Sequence, residues 1–210
     1  MKSRIWGSLL LLMPILANAQ PQAGMPVLYP GIKVAWLGSV IYPGLTAGVE
    51  WPYKSKLFTA RDTLHRRKEY YLAANIGFYH HPTFHDNVFV RVERLRRRQT
   101  ATGWFTETAP GIGFSRTFLG GTTYAVADDG KVTLRRWAGH TYGMVSVAVG
   151  GGYNFAMRQG TPVSVYGSVR MLCLFPSNSF IYLRPTIELG LIWKISRLFP
   201  SSPTVMEKKK

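Results

Sequence analysis

The feature that most constrains this sequence is a thirteen-residue stretch near its C-terminal end, in which two kinds of residue alternate. From 183 to 195 every odd position is apolar, whereas the even positions include Arg184, Glu188 and Lys194. A period of two is typical of a β-strand with two different faces. At about 3.3 Å per residue and a tilt near 40°, such a strand rises roughly 33 Å, enough to cross an apolar band about 25 Å tall. The stretch therefore predicts a strand with one face in lipid and the other enclosed.

Seven further segments show the same alternation, and clusters of Gly, Pro, Asn and Asp separate most of them. Because no helical periodicity lies between these segments, the pattern indicates an antiparallel all-β meander. We interpret residues 119–141 as a long hairpin around Asp129-Gly130 and residues 54–68 as a long connection. The predicted strands are 32–41, 45–53, 70–79, 87–93, 104–118, 143–155, 163–173 and 183–195.

The N-terminal residues have the pattern of a secretory signal peptide. Lys2 and Arg4 precede an apolar run over 5–16, and Ala17-Asn18-Ala19 follows as an A-x-A cleavage site. The run is shorter than the roughly 20 apolar residues that a spanning helix needs. We predict a signal peptide over 1–19, an N-terminal lead over 20–31, a barrel over 32–195 and a C-terminal tail over 196–210.

The remaining sequence narrows the class of protein. It holds no stretch of 18 apolar residues, which excludes helical membrane spans. Lipid offers no water to unpaired backbone groups, so a membrane-spanning sheet must close into a barrel. The net charge of +16 invites a nucleic-acid function, but the export signal and the lack of a zinc-finger or helix-turn-helix pattern argue against it. Outer-membrane lipids, including lipopolysaccharide phosphates, are the expected partners, and the oligomeric state stays open.

With its alternating strands, export signal and charged inward positions, the chain resembles the small eight-stranded bacterial outer-membrane barrels of the OmpA and OmpX kind over residues 32–195. The resemblance implies an all-β fold, an eight-stranded antiparallel up-and-down transmembrane β-barrel located in the cell outer membrane. It implies a biological role only loosely.

The inward positions of such a barrel define the candidate site. An eight-stranded barrel is just wide enough for side chains to fill it. Removing one member of a buried ion pair costs about 3–5 kcal/mol, so enclosed charges should neutralise one another. We predict an interior network in which the glutamates pair with arginines, and a narrow, porin-like ion pathway is the alternative. The predicted lumen residues are Glu50, Arg91, Glu93, Glu107, Arg116, Arg170, Arg184 and Glu188, together with Lys194.

Other polar clusters offer weaker chemistry. His80, His81 and His85 are weak metal candidates, but their spacing matches no standard motif, so we predict neither a metal nor a cofactor. We interpret the basic runs 54–68 and 94–98 as solvated linkers, with lipid-phosphate binding as the alternative.

Three functions follow, of which we prefer a non-enzymatic outer-membrane barrel with a structural, adhesive or narrow-pore role. The first alternative is a lipid-modifying barrel enzyme, which needs a nucleophile beside a base. His140 with Ser146 and His85 with Asp86 are the candidate pairs, and the sequence has no G-x-S-x-G elbow. The second alternative is a soluble secreted β-sandwich or lipocalin-like binder.

Overall fold

A computed structural model describes residues 28–38, 43–60, 64–82, 84–177, 180–195 and 204–206. The predicted signal peptide lies outside the described residues, as do 20–27 of the predicted N-terminal lead and 196–203 and 207–210 of the predicted tail. In chain order the elements are β1 (Gly31–Gly38), β2 (Pro43–Ala60), β3 (Leu64–His81), β4 (His85–Gln99), β5 (Trp104–Leu119), β6 (Tyr124–Val126), β7 (Val132–Leu134), β8 (Thr141–Asn154), α1 (Ala156–Gln159), β9 (Val163–Ser177), β10 (Phe180–Lys194) and β11 (Thr204–Met206).

The eight long strands, β1 to β5 and β8 to β10, form a closed antiparallel ring. Each pairs with its neighbours in chain order, and β1 closes the ring by pairing with both β2 and β10. Every one of them therefore has a partner on both sides, which removes the exposed edges of an open sheet. The predicted eight-stranded up-and-down barrel is confirmed. Across the described ranges, no helix is long and apolar enough to cross a bilayer.

Side chains alternate strictly between the two faces of the ring. In β4 every odd residue from Asn87 to Gln99 is buried and every even residue between them is exposed. The exposed positions around the ring are largely apolar, with Val34, Ile76 and Leu189 each about half exposed at 52%, 55% and 55%. Most of the buried charged residues lie at positions that face the interior of the ring. This distribution is the reverse of that in a soluble domain, where charged residues are almost never fully buried unless paired.

The prediction of a long connection over 54–68 is wrong, because β2 and β3 continue through it as a hairpin. Leu57 pairs with Arg67, and Ala60 pairs with Leu64. A register shift between Pro52 and Lys54 interrupts the alternation at this point. An extra residue at such a bulge moves the following side chains to the other face, which hides the strand from a search for period two. Beyond the ring, β11 pairs with β2 in parallel.

The two ends of the barrel differ. At the base, which we define as the end where β1 begins and β10 ends, Gly31 pairs with Lys194. The opposite loop end carries residues 120–140, where β6 and β7 form a separate two-stranded hairpin. Gly130 takes a positive φ of 81° at its tip, as the predicted Asp129-Gly130 turn requires.

Candidate functional site

The middle of the barrel interior holds two arginines and two glutamates from β4, β9 and β10. Arg170 donates from Nε to Glu188 Oε1 at 3.1 Å and from Nη1 to Glu93. Arg91 Nε lies 3.1 Å from Glu93 Oε1, and Arg91 Nη2 donates to Glu188. Each arginine thus contacts both carboxylates, and Asn75 Nδ2 donates to the second oxygen of Glu93 at 3.1 Å. These contacts form a closed ring of charges.

A second charged layer lies nearer the base and is centred on Arg97. Its guanidinium donates to both carboxylate oxygens of Glu50, at 3.1 and 3.0 Å, and to Glu107 Oε2 at 2.8 and 3.2 Å. Lys194 also donates to Glu50, and Lys33 Nζ lies 3.9 Å from Glu107 Oε1. One arginine therefore joins carboxylates from β2 and β5, while lysines from β1 and β10 complete the layer.

The guanidinium of Arg97 contacts the rings of Tyr71 and Phe105, with its Cζ 4.9 and 4.6 Å from the two ring centroids. Tyr71 also donates to Glu69 Oε2 at 2.6 Å, and Arg67 pairs with Glu69 below it. Because the flat guanidinium face stacks on aromatic rings while its N–H groups bind carboxylates in the plane, every part of this buried arginine is used.

Toward the loop end the interior becomes apolar. A buried layer crosses it, formed by Leu37, Tyr79, Phe89, Met144, Leu172 and Leu174. The barrel axis therefore runs from paired charges at the base, through the ring of four in the middle, to a mainly apolar layer below the loops, beside which Asn87, Ser115 and Arg184 are also buried.

The structure brings most of the predicted lumen residues together. Those within the two charged layers are Glu50, Arg91, Glu93, Glu107, Arg170 and Glu188, along with Lys194. Arg184 is also buried but lies by the apolar layer, with its Cζ 4.4 Å from the ring centroid of Tyr79.

The placement of Arg116 in the lumen is wrong. Its side chain is exposed, and its guanidinium donates to Thr141 Oγ1 at 2.8 Å on the outer surface. The reason is strand parity: Arg116 lies an even number of residues from Ile112 and Phe114, which both face outward. Ser115 occupies the inward position and donates to Asn87.

Sequence reasoning missed Arg97 and Lys33. The interpretation of the run 94–98 as a solvated linker is wrong, because β4 continues to Gln99 and Arg97 is only 2% exposed. A signal was available, because Arg97 continues the odd, inward parity of Arg91 and Glu93. Lys33 likewise lies between the outward residues Ile32 and Val34.

The histidine cluster divides between the two faces of the sheet. His80 and Asp86 face outward, with His80 Nδ1 2.5 Å from Asp86 Oδ1, whereas His81 and His85 stack on the inner face with ring centroids 5.2 Å apart. Neighbouring strand residues point in opposite directions, so these side chains do not converge. In the part of the chain that the structure describes, no group of three or more His, Cys, Asp or Glu residues is placed to hold a metal.

The candidate catalytic pairs are also separated. His140 is exposed just before β8, while Ser146 is buried within it and accepts a hydrogen bond from Arg170 at 3.4 Å. Six residues along a strand correspond to about 20 Å. His85 and Asp86 are adjacent and therefore lie on opposite faces. Neither pair meets the geometric requirement for a nucleophile and its base.

No protein-family profile matches the chain, and no curated protein matches it. Among solved structures, Neisserial surface protein A (NspA) is 13% identical, with a TM-score of 0.44 covering 80% of this chain and 96% of that one. The beta domain of the Bordetella autotransporter BrkA is 13% identical, with a TM-score of 0.38 covering 79% of this chain and 69% of that one. Neither similarity is close enough to transfer a role.

Proposed function

We propose that this chain is a non-enzymatic outer-membrane β-barrel protein whose interior is sealed by its own side chains. The observation that carries the proposal is the inverted distribution of residues: a closed ring of strands exposes apolar side chains and encloses ion pairs. Leaving apolar surface in water costs about 25 cal/mol per Å², and soluble monomers rarely expose contiguous apolar patches beyond a few hundred Å². A hydrocarbon solvent removes this penalty.

The dimensions and borders of the exposed face support the same proposal. From Leu183 to Trp193 on β10, the outward residues cover about 25 Å along the barrel axis, the height of the apolar band of membrane barrels. Aromatic residues border the band at the base, where Tyr53, Trp104 and Trp193 are exposed by 40%, 63% and 63%. Aromatic girdles of this kind are typical of the two membrane–water interfaces.

The interior favours a structural role over a narrow pore. An ion moving along the axis would have to break the ring of Arg91, Glu93, Arg170 and Glu188 and then cross the apolar layer at the loop end. Breaking a buried pair costs about 3–5 kcal/mol, and an ion entering the apolar layer would lose its hydration. We therefore expect reconstituted protein to show no stable single-channel conductance.

Two alternatives from the sequence fit less well. A β-sandwich requires two packed sheets, whereas these strands form one ring. A lipocalin-like binder needs an interior with room for a ligand, whereas this interior holds paired charges and packed side chains. For an enzyme, the candidate histidine pairs are separated as described.

The test is fractionation of native membranes followed by gel mobility with and without boiling. We expect the protein in the outer-membrane fraction, requiring detergent for extraction and migrating differently before and after boiling. A monomer that stays in solution without detergent would contradict the proposal. Conductance abolished by Arg91→Gln would support a pore instead.

One observation favours a more specific adhesive role. The hairpin of β6 and β7 exposes large apolar side chains beyond the barrel, and Trp137 beside it is 77% exposed. Three basic residues, Lys131, Arg135 and Arg136, accompany them. A variant lacking residues 122–136 should keep its heat-modifiable mobility while cells displaying it lose attachment to surfaces. Unchanged attachment would contradict the adhesive role and support only the structural one.

A further inference from the structure

The outer face of β4 changes character abruptly on the way to the base. Its outward residues are Val88, Val90, Val92, Arg94, Arg96 and Arg98, in that order, and all six are exposed. The valines belong to the apolar band. The arginines begin where the band ends, at the level of its aromatic border.

Neighbouring strands add to this charge. The register places Tyr70 beside Arg96 and Lys68 beside Arg98, and Lys54 lies on the other side of Tyr70. Arg94 Nε donates to the hydroxyl of Tyr53 at 2.9 Å, which holds its guanidinium against the sheet. We call Lys54, Lys68, Arg94, Arg96 and Arg98 the basic patch.

The three arginines of the basic patch have no anionic partner among the described residues. Within the ranges that the structure describes, no carboxylate forms an ion pair with Arg94, Arg96 or Arg98. Arginine side chains at a membrane interface lay their methylene groups on apolar surface and extend the guanidinium toward the headgroups. A phosphate is the anion that this planar group binds best in bidentate geometry.

An apolar concavity adjoins the basic patch on the same outer face. It measures about 920 Å³, and its lining includes Ala47, Ala74, Ile76, Val92 and Phe114. The alanines leave space between larger neighbours, and Val92 is the outward residue immediately before Arg94 on β4. A hydrocarbon chain in the concavity would therefore end beside the guanidinium groups.

Among the strand residues that the structure describes, the basic patch lies on one side of the barrel. At the same level near the base, the outward residues of β5 are Thr106 and Thr108, while those of β9 and β10 are Val165 and Leu191. A general interfacial belt of positive charge would surround the barrel. The basic patch on β2 to β4 lies beside a concavity whose lining extends from Ala47 on β2 to Phe175 on β9, and this combination of charge and apolar surface fits an amphiphilic molecule.

We propose that the basic patch and the concavity together bind an anionic phospholipid, with its phosphate on Arg94 and Arg96 and an acyl chain along Ala74 and Val92. The inference rests on the proposed membrane location. The leaflet follows from the connections: the long one, 120–140, lies at the loop end, and bacterial barrels place their longer loops outside and short turns in the periplasm. The basic patch then meets the periplasmic, phospholipid leaflet.

The experiment uses the full chain in nanodiscs of phosphatidylcholine and phosphatidylglycerol in equal amounts. Lipids retained on the protein are counted by native mass spectrometry. We expect phosphatidylglycerol to be retained about tenfold over phosphatidylcholine, and the triple variant R94Q/R96Q/R98Q to retain both equally. The matched control R116Q/R135Q/R136Q removes the same charge at the loop end and should keep the preference.

Several results would overturn the proposal: equal retention by the unaltered protein, an unchanged preference in the first variant, or an equal loss in the control. If the triple variant fails to fold, a salt series on the unaltered protein tests whether the lipid preference is electrostatic. Raising salt from 0.1 to 1 M shortens the screening length from about 10 to 3 Å and should remove the preference, whereas a salt-independent preference contradicts the site.

A second arm separates the two sources of lipid phosphate. Discs in which lipid A replaces phosphatidylglycerol at equal charge should show weaker retention at the basic patch, and stronger retention would overturn the phospholipid assignment. The heat-modifiable band is recorded on every sample. A sample with that band and no lipid preference refutes the lipid site alone, whereas a sample that is soluble without detergent refutes the membrane barrel itself.

Discussion

The arginines of β4 fall into two groups that share a strand but not an environment. Arg91 and Arg97 face inward, are each 2% exposed and each contact two carboxylates. Arg94, Arg96 and Arg98 face outward and lie at the edge of the apolar band. A shift of a single residue separates a structural ion pair from a group available to a ligand. Strand parity, rather than residue type, therefore decides what an arginine does in this barrel.

The difference between inward and outward arginines is tested most strongly by replacing one inward arginine and its outward neighbour in turn. Arg97→Met leaves Glu50 and Glu107 without their shared partner in the interior and should reduce the free energy of unfolding by about 3–5 kcal/mol. Arg98→Met should change it by less than about 1 kcal/mol, as exposed charges usually do. Urea unfolding of the reconstituted barrel, followed by tryptophan fluorescence, measures both. Equal effects would refute the assignment of Arg97 to a buried network.

The same difference between inward and outward charges is expected for the ring of Arg91, Glu93, Arg170 and Glu188. Glu188→Leu leaves Arg91 and Arg170 without a shared carboxylate, and we again expect a loss of several kcal/mol, within the range of about 3–5. Asp86→Leu, on the outer face near the loop end, is the matched control and should have a small effect. Heat-modifiable mobility across a temperature series reports the difference, and an unchanged midpoint for Glu188→Leu would count against the ring of charges.

The outward face can be tested by moving the edge of the band. Val90→Arg places a guanidinium four residues deeper on β4 than Arg94, about 10 Å inside the edge of the band and close to the bilayer midplane, and should destabilise the barrel by about 2–4 kcal/mol. Arg94→Val moves the edge the other way and should be close to neutral. Both are compared by urea titration in lipid vesicles. A neutral Val90→Arg variant would show that the outward valines are not in lipid.

A smaller effect concerns the contact that orients the basic patch. Tyr53→Phe removes the hydroxyl that accepts from Arg94 Nε and should leave stability within about 1 kcal/mol. The retention of phosphatidylglycerol over phosphatidylcholine should fall about twofold, because Arg94 loses its fixed orientation while keeping its charge. Tyr153→Phe, on the opposite side of the barrel, serves as the control. Equal retention in both variants would separate Tyr53 from lipid binding.

Strand parity made much of this structure predictable from the sequence. The eight strands follow from alternation, and Glu50, Arg91 and Glu188 follow from the faces of those strands. The errors have local causes. Assigning Arg116 to the lumen contradicts the parity of Ile112 and Phe114, and interpreting the charged run 94–98 as a solvated linker hides the inward position of Arg97.

The pairing partners could not be predicted in the same way. Arg91 and Glu188 are 97 residues apart and meet because the stagger of the ring places β4 and β10 at the same level across the interior. Parity gives the face of a residue but not its height along the axis. For the same reason, the sequence did not show that Arg184 lies over Tyr79 rather than in the charged layers.

The central claim is that the outward face of each strand touches hydrocarbon while the inward face is sealed. A scan of nitroxide labels along residues 185–191 of β10, in a Cys173→Ser background and reconstituted in lipid vesicles, tests it most directly. The account predicts a period of two, in which labels at odd positions collide with membrane-dissolved oxygen and are protected from a water-soluble nickel chelate. Odd positions that the nickel chelate reaches readily would contradict it.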